Sequence, residues 1–209
     1  MPSRGHLLYR LADAVYRVPE WTNRVELAHH LGTSPSSLNP WIWRLTWWRA
    51  VTEGPNLRFD PNRVLHFASH YRLGTLDPQP PISANLDVAA LHDALGEIPH
   101  VFCMFSAANT WAFFEPHSDS HVYVPQAALP RARRAIPATT SRARNTAHAF
   151  LYADRVDTIP TTTRANLPVT TLFQTMIDLR AHATGGAHAE FLRQMVGRKT
   201  AGDPPASQR

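Results

Sequence analysis

Residues 22–48 contain two short amphipathic segments separated by a glycine, and this pattern constrains the fold more than any other. TNRVELAHHLGTS predicts a helix that Thr22 caps and that ends at Gly32, the residue type best able to adopt a left-handed conformation. The buried stripe predicted for this helix consists of Val25, Leu27, Ala28 and Leu31. A second helix follows the glycine at once, so the chain turns sharply between them.

The flanking segments extend this pattern into a recognisable order of elements. Apolar residues at spacings of three and four predict a helix over residues 5–18, with Ser3 as its cap. After the second helix of the pair, VTE and LRF flank a Gly54-Pro55-Asn56 turn and predict a β-hairpin. Helix, helix, glycine turn, helix and hairpin is the order of a winged helix-turn-helix.

Pro35 and Pro40 offer two alternative starts for the third helix. A helix that begins at Pro35 places Pro40 in its interior, which removes a backbone hydrogen bond and costs ~3 kcal/mol. A helix capped by Asn39 places Pro40 at the first position, where proline costs nothing. We therefore expect the straight helix to run from Pro40 to about Trp48, after an irregular turn over residues 35–38.

In a helix-turn-helix the third helix lies in the major groove of DNA. Helical periodicity directs Leu38, Ile42 and Leu45 to the core. The residues directed outward are Ser36, Ser37, Asn39, Trp43 and Arg44. Small hydroxyls approach base edges closely, and Asn39 matches adenine in bidentate fashion. Arg44 and the hairpin residue Arg58 suit phosphates, which fix position without reading sequence.

Four of the six tryptophans of the chain fall between positions 41 and 48. They point in several directions around a helix, whereas a stacking platform for single-stranded bases needs one exposed face. We assign Trp41, Trp48 and Trp47 to the core or to the space beneath the hairpin, and expect Trp43 to be exposed.

Composition excludes several classes of enzyme. Of 21 basic residues 20 are arginine, and the one lysine, Lys199, lies in a polar C-terminal segment. P-loop, Schiff-base, kinase and lysine-dependent nuclease sites each need a lysine within folded structure. The arginine bias fits contact with nucleic acid, and it equally fits a GC-rich genome. The lone Cys103 lies in the apolar run VFCMF, which indicates a buried thiol rather than a nucleophile.

Other patterns add little evidence for catalysis or for a cofactor. His66 with His70, and His117 with His121, have the spacing of helical metal ligands, but neither pair has a full set of partners. No hydrolase or metalloprotease motif occurs, so we predict a non-enzymatic protein with no cofactor and no metal. No apolar run approaches the ~18 residues that a membrane span needs, which favours a cytoplasmic protein.

The sequence predicts an α+β chain: an N-terminal winged helix-turn-helix followed by a smaller mixed α/β C-terminal domain. A connecting helix begins after Asp60-Pro61 and ends by Gly74, and three prolines follow in TLDPQPPIS. The predicted divisions are a DNA-binding domain over 1–75, a Pro-rich linker over 76–85, a C-terminal domain over 86–197 and a disordered tail over 198–209. Helices are predicted over 86–99 with Ser83 or Asn85 as cap, over 106–114, and within 167–183 with Thr170 or Thr171 as N-cap. Strands are predicted over 101–105, 121–125 and 147–153, and a loop over 130–146.

The predicted loop is strongly basic. Its arginines are Arg131, Arg133, Arg134, Arg142 and Arg144, with no acidic residue among them. The segment is either a second phosphate-contacting surface or a solvated basic loop.

Two segments of the C-terminal half resemble a known family. FSAANTWAFFEPHSDSHVYVP and LPVTTLFQTMIDLRAHATGGAHAEFLRQM are similar to the C-terminal domain of AbiEi-type antitoxins of type IV toxin-antitoxin (abortive infection) systems. These proteins carry a winged helix-turn-helix in front of that domain. The most specific part is Leu167-Pro168-Val169 with Gln174, Asp178 and Leu179 on the following helix. One departure is SAANT, which stands where the family has a glycine-rich helix start.

The resemblance implies a transcriptional repressor that binds inverted repeats of double-stranded DNA upstream of its own operon. It also implies that the C-terminal domain counters a nucleotidyltransferase-like toxin, without implying direct contact with it. The alternative is an adaptor whose winged helix binds protein, without sequence-specific DNA binding.

Overall fold

The chain folds as an α+β protein, as the sequence predicts. The computed structural model describes residues 4–73, 79–112, 119–139, 147–154, 156–182 and residue 191. None of the helices in these ranges has the length and apolar character needed to cross a membrane.

The N-terminal half contains four helices and a small sheet among its described residues. In chain order these are α1 (Arg4–Arg17), β1 (Glu20–Trp21), α2 (Arg24–His30), α3 (Pro35–Trp47), β2 (Val51–Glu53), β3 (Leu57–Phe59) and α4 (Pro61–Leu73). The hairpin of β2 and β3 gains β1 as a third antiparallel strand, in the order β1-β3-β2. The sequence predicts the helices and the hairpin but not β1, which is two residues long.

The cap of α2 differs from the prediction by one residue. Asn23, not Thr22, is the N-cap, and its Oδ1 accepts hydrogen bonds from the backbone nitrogens of Val25 and Glu26 at 2.9 and 3.0 Å. The Glu26 carboxylate in turn accepts from the Thr22 nitrogen at 2.9 Å. Val25 is 63% exposed and is therefore not part of the buried stripe. Gly32 has φ +56°, the left-handed conformation expected of it.

The predicted start of α3 at Pro40 is wrong. The helix is continuous from Pro35, Ser34 is its N-cap, and Pro40 lies inside it. The buried residues Leu38, Trp41, Ile42 and Leu45 lie on both sides of Pro40 and pack into one core, which holds the helix together. The carbonyl that loses its partner belongs to Ser36, an exposed residue, so water can satisfy that group.

The C-terminal half has a six-stranded mixed sheet. Its elements are β4 (Ile82–Ser83), α5 (Val88–Leu95), β5 (Val101–Phe102), α6 (Met104–Trp111), β6 (Ser120–Val124), α7 (Leu129–Ala135), β7 (His148–Ala153), β8 (Thr161–Arg164), β9 (Leu167–Thr170) and α8 (Leu172–His182). The strand order is β4-β7-β6-β5-β9-β8. Strand β6 pairs in parallel with β7, β5 pairs in parallel with β9, and the other pairs are antiparallel.

Several boundaries in this half differ from the predictions. Asp87, rather than Ser83 or Asn85, caps α5, and Ile82 and Ser83, placed in the linker, form β4. The strand predicted over 101–105 ends at Phe102, because α6 begins at Met104.

Two further segments change class. Part of the predicted basic loop forms α7, and residues 167–170, which the prediction placed at and before the N-cap of the last helix, form β9. Thr171, one of the two predicted caps, directly precedes α8, and its hydroxyl accepts from the Gln174 nitrogen at 3.4 Å. The edge strand β8 has the sequence TTTR, which lacks the apolar alternation that predicts a strand.

Helices α1, α4 and α8 join the two halves in a common core. Tyr16 of α1 stacks on Phe173 of α8, with ring centroids 4.4 Å apart and an interplanar angle of 20°. Every residue from Phe173 to Leu179 is buried. The apolar core is therefore continuous from α1 to α8.

Candidate nucleic-acid interface

The outer face of α3 carries all five of the side chains that the sequence directs outward. Ser36, Ser37, Asn39, Trp43 and Arg44 are exposed, whereas Leu38, Ile42 and Leu45 are fully buried. The core residues fix the rotation of the helix about its axis, so the exposed set forms one surface next to the hairpin.

An arginine joins α3 to α2 and to the hairpin. Arg24 Nη1 donates to Asn39 Oδ1 at 3.0 Å, and Arg24 Nη2 forms an ion pair with Glu53 of β2. One lone pair of the Asn39 oxygen is therefore in use, and bidentate contact with adenine would employ the other lone pair together with the Asn39 amide nitrogen. Sequence reasoning missed Arg24 and Glu53, because a pair 29 residues apart leaves no local signal.

The hairpin presents Arg58 beside an acidic residue. The Arg58 side chain is 72% exposed, and its Nε lies 3.3 Å from Glu20 Oε1. Asn56 donates to the same oxygen at 2.8 Å. The hydrogen bond from Asn56, followed by that from Arg58, lowers the pKa of Glu20. Glu20 is thus ionised at neutral pH, and it offsets part of the charge that Arg58 offers to a phosphate.

The tryptophans divide into two inward and two outward side chains. Trp41 is buried beneath Arg44, whose guanidinium carbon lies 5.0 Å from the ring centroid. Trp48 is half-buried against Phe67. Trp43 is 68% exposed, as predicted, but the prediction for Trp47 is wrong, since it is 79% exposed. The rings of Trp43 and Trp47 stack with centroids 6.5 Å apart and an interplanar angle of 25°.

The structure describes three of the five arginines in the predicted basic loop. Arg131, Arg133 and Arg134 are exposed on α7, where Arg133 Nη1 donates to the Pro80 carbonyl at 2.8 Å. Arg142 and Arg144 lie outside the described residues. A role for these arginines in phosphate contact stays a prediction.

The other residues singled out in the sequence form no metal site within the described ranges. Cys103 is buried, and burial raises the pKa of its thiol. His66 and His70 are exposed on α4, and His66 Nδ1 accepts from Arg180 at 2.8 Å. His121 is buried, with Nδ1 3.0 Å from the Tyr152 hydroxyl, whereas His117 lies outside the described residues. Throughout those residues there is no cluster of three or more His, Cys, Asp or Glu side chains able to hold a metal.

A buried polar cluster at the junction of the two halves escaped the sequence analysis. Arg72 forms ion pairs with Asp154 and Asp178, while Asp154 Oδ1 also lies 3.0 Å from His6 Nε2. Gln174 Nε2 donates to Asp178 Oδ1 at 2.8 Å. Burial raises the pKa of Asp178 to about 6, although Arg72 opposes this shift. An acidic residue inside the apolar run of α8 was the available signal.

Comparisons with protein-family models, with curated proteins and with solved structures found no match to this chain. A functional assignment therefore depends on the chemistry of the α3 surface and the hairpin.

Proposed function

We propose that the chain is a sequence-specific, double-stranded-DNA-binding transcriptional repressor whose α3 is the recognition helix. The observation that carries the proposal is the exposed face of α3 beside the β2–β3 hairpin, with Arg24 linking Asn39 to Glu53. A helix followed by a glycine turn, an exposed second helix and a hairpin is the arrangement of a winged helix-turn-helix.

Each exposed side chain has a distinct task in this proposal. Ser36, Ser37 and Asn39 lie in the N-terminal part of α3, the part that contacts base edges in helix-turn-helix proteins. Arg44 and Arg58 contact phosphates and fix the position of the helix in the groove. The affinity of such an interface falls with salt, because each neutralised phosphate releases counterions.

The resemblance to AbiEi-type antitoxins supports the physiological part of the proposal. We propose an autoregulating cytoplasmic protein that binds inverted repeats upstream of its own operon, with neither catalytic activity nor a cofactor. Its C-terminal half is proposed to counter a nucleotidyltransferase-like toxin encoded alongside it. Two similar segments, 105–125 and 167–195, support this part.

The stacked Trp43 and Trp47 favour a second candidate function. Two exposed tryptophans are typical of interface residues, which are enriched in aromatic side chains. A winged helix used as a protein-binding adaptor, without sequence-specific DNA binding, is therefore the alternative.

Binding to the DNA upstream of the gene tests the proposal against this alternative. Affinity for that DNA and for random duplex of equal length is measured across a salt series. We expect the affinity for the upstream DNA to exceed the affinity for random duplex by a factor of about 10³ or more at physiological salt. Equal affinity for the two DNAs at every salt concentration would exclude the repressor and leave the adaptor.

A further inference from the structure

The outermost ridge of α3 is mainly apolar. Ser36, Pro40, Trp43 and Trp47 succeed one another at intervals of four, three and four residues, so they lie along one side of the helix. All four are exposed, and they lie opposite the buried Leu38 and Leu45. The polar residues Asn39 and Arg44 flank this ridge rather than forming its crest.

The surroundings of the ridge carry positive charge. Arg44 lies beside it, with the guanidinium over the buried Trp41 ring, and Arg58 projects from the adjoining hairpin. Two carboxylates lie in the same region, and each pairs with one arginine, Glu53 with Arg24 and Glu20 with Arg58, so the arginines outnumber them by one. An apolar crest with cationic flanks complements a DNA groove, in which the base edges lie between two phosphate backbones.

We propose that the ridge recognises thymine, through packing of Pro40 and Trp43 on C5-methyl groups in the major groove, with Trp47 supporting the Trp43 ring. This inference rests on the proposed DNA-binding function and specifies which bases that function selects. The C5-methyl of thymine is the apolar group on base edges in that groove. The other bases present hydrogen-bonding groups in this groove. An indole ring that covers such a group removes its water without replacing the hydrogen bond, which costs free energy. The operator is therefore rich in thymine where the ridge lies.

Replacement of thymidine by deoxyuridine tests the proposal, because it removes the methyl group and preserves base pairing. Wild-type protein is titrated with upstream DNA synthesised in both forms. We expect the affinity to fall about fourfold for each methyl group that the ridge covers. A variant carrying both Trp43→Ala and Trp47→Ala should discriminate between the two DNAs about fourfold less than the wild type, because only Pro40 then still covers a methyl group. Since both rings are exposed, the variant should retain its fold, which a thermal melt checks.

Val25→Ala is the matched control, because it also truncates an exposed apolar side chain, on α2. This variant should discriminate between thymine and uracil DNA as the wild type does. Equal wild-type affinity for both forms, each tighter than random duplex, would overturn thymine recognition and leave the repressor function intact. Full methyl discrimination by the double variant would likewise overturn it. If the ridge binds a protein partner instead, the double variant should bind the thymine and uracil forms of the upstream DNA with wild-type affinity. That result would also overturn thymine recognition. Equal affinity of the wild type for upstream and random DNA would overturn both proposals.

Discussion

Arg72 in the last turn of α4 forms an ion pair with Asp154, the residue after β7, with Nη2 and Oδ2 2.6 Å apart. Arg72 Nε also lies 3.3 Å from Asp178 Oδ1 on α8. The arginine and Asp178 are almost completely buried. The helical N-terminal half and the C-terminal sheet are therefore joined by charged groups as well as by the common apolar core.

Removal of Arg72 should destabilise the whole chain. Arg72→Met leaves the buried carboxylate of Asp178 without its cation, and we expect the free energy of unfolding to fall by about 3–5 kcal/mol. Arg63→Met on the same helix is the control, because the pair between Arg63 and Asp60 is exposed and contributes about 1 kcal/mol or less. Urea unfolding of both variants measures the difference. Similar losses would show that the buried cluster contributes no more than a surface pair.

The pH dependence of stability should change when Asp178 is neutralised. Burial raises the pKa of Asp178 to about 6 from an ordinary value of 3.8. The folded state therefore binds this proton more tightly than the unfolded chain does. The stability that this proton contributes is complete below pH 3.8, the ordinary pKa expected in the unfolded chain. It is lost as the pH rises through about 6, the pKa in the folded state.

His182 has the opposite effect on stability. Burial, followed by the nearby charge of Arg72, lowers the pKa of His182 to about 4 from 6.5. The stability that neutral His182 contributes is complete above pH 6.5, the ordinary pKa expected in the unfolded chain. It is lost as the pH falls through about 4, the pKa in the folded state. Asp178→Asn removes the opposing effect of Asp178 and leaves that of His182, so the free energy of unfolding should fall more steeply on acidification from pH 6.5 to 4 than in the wild type. Urea unfolding at several pH values checks this, with the exposed Asp93→Asn as control. Parallel wild-type and Asp178→Asn profiles would contradict it.

Two proline substitutions in α3 should change stability in opposite directions. Pro40→Ala restores a backbone hydrogen bond in the helix interior, and we expect the free energy of unfolding to rise by about 1–3 kcal/mol. Pro35→Ala should instead lower it by up to about 1 kcal/mol, because proline at the first turn is already shaped for the helix. Thermal or urea unfolding distinguishes the two. A loss of stability in Pro40→Ala would show that the proline ring itself is needed for packing.

Asn39 should affect sequence discrimination more than overall affinity. Asn39→Ala removes a side chain assigned to base edges, so we expect about 1–3 kcal/mol less preference for upstream over random DNA. Asn62→Ala, also exposed and on a helix, should leave the preference unchanged. Titration of upstream and random DNA with each variant measures the ratio of the two affinities. Equal weakening on both DNAs would assign Asn39 to the phosphates.

Arg58 and Glu20 should have opposite effects on affinity for any duplex. Arg58→Ala removes the proposed phosphate contact, so binding should weaken equally on upstream and random DNA and the salt slope should fall by about 1. Glu20→Gln removes the acidic partner of Arg58, and we expect tighter binding to both DNAs. A change in sequence preference in either variant would contradict the assignment of Arg58 to the backbone.

Much of the candidate site could be predicted from the sequence. The periodicity of α3 alone indicates that Ser36, Ser37, Asn39 and Arg44 face outward, because Leu38, Ile42 and Leu45 must face the core. The link from Arg24 to Asn39 was not predictable, because it joins two helices in a geometry that neither helix specifies. Trp47 was assigned inward as a large apolar side chain, whereas the inner positions of α3 are already filled by Trp41 and Leu45.

The sequence by itself determined the elements whose signals are local: amphipathic helices, the left-handed Gly32 and the hairpin around Gly54-Pro55-Asn56. Only the tertiary structure decided where α3 begins and which charges are buried. A local cost of ~3 kcal/mol at Pro40 argues for a later start, but four buried side chains on both sides of it outweigh that cost. Arg72 and Asp178 are 106 positions apart, and only the packing of α4 against α8 brings them together.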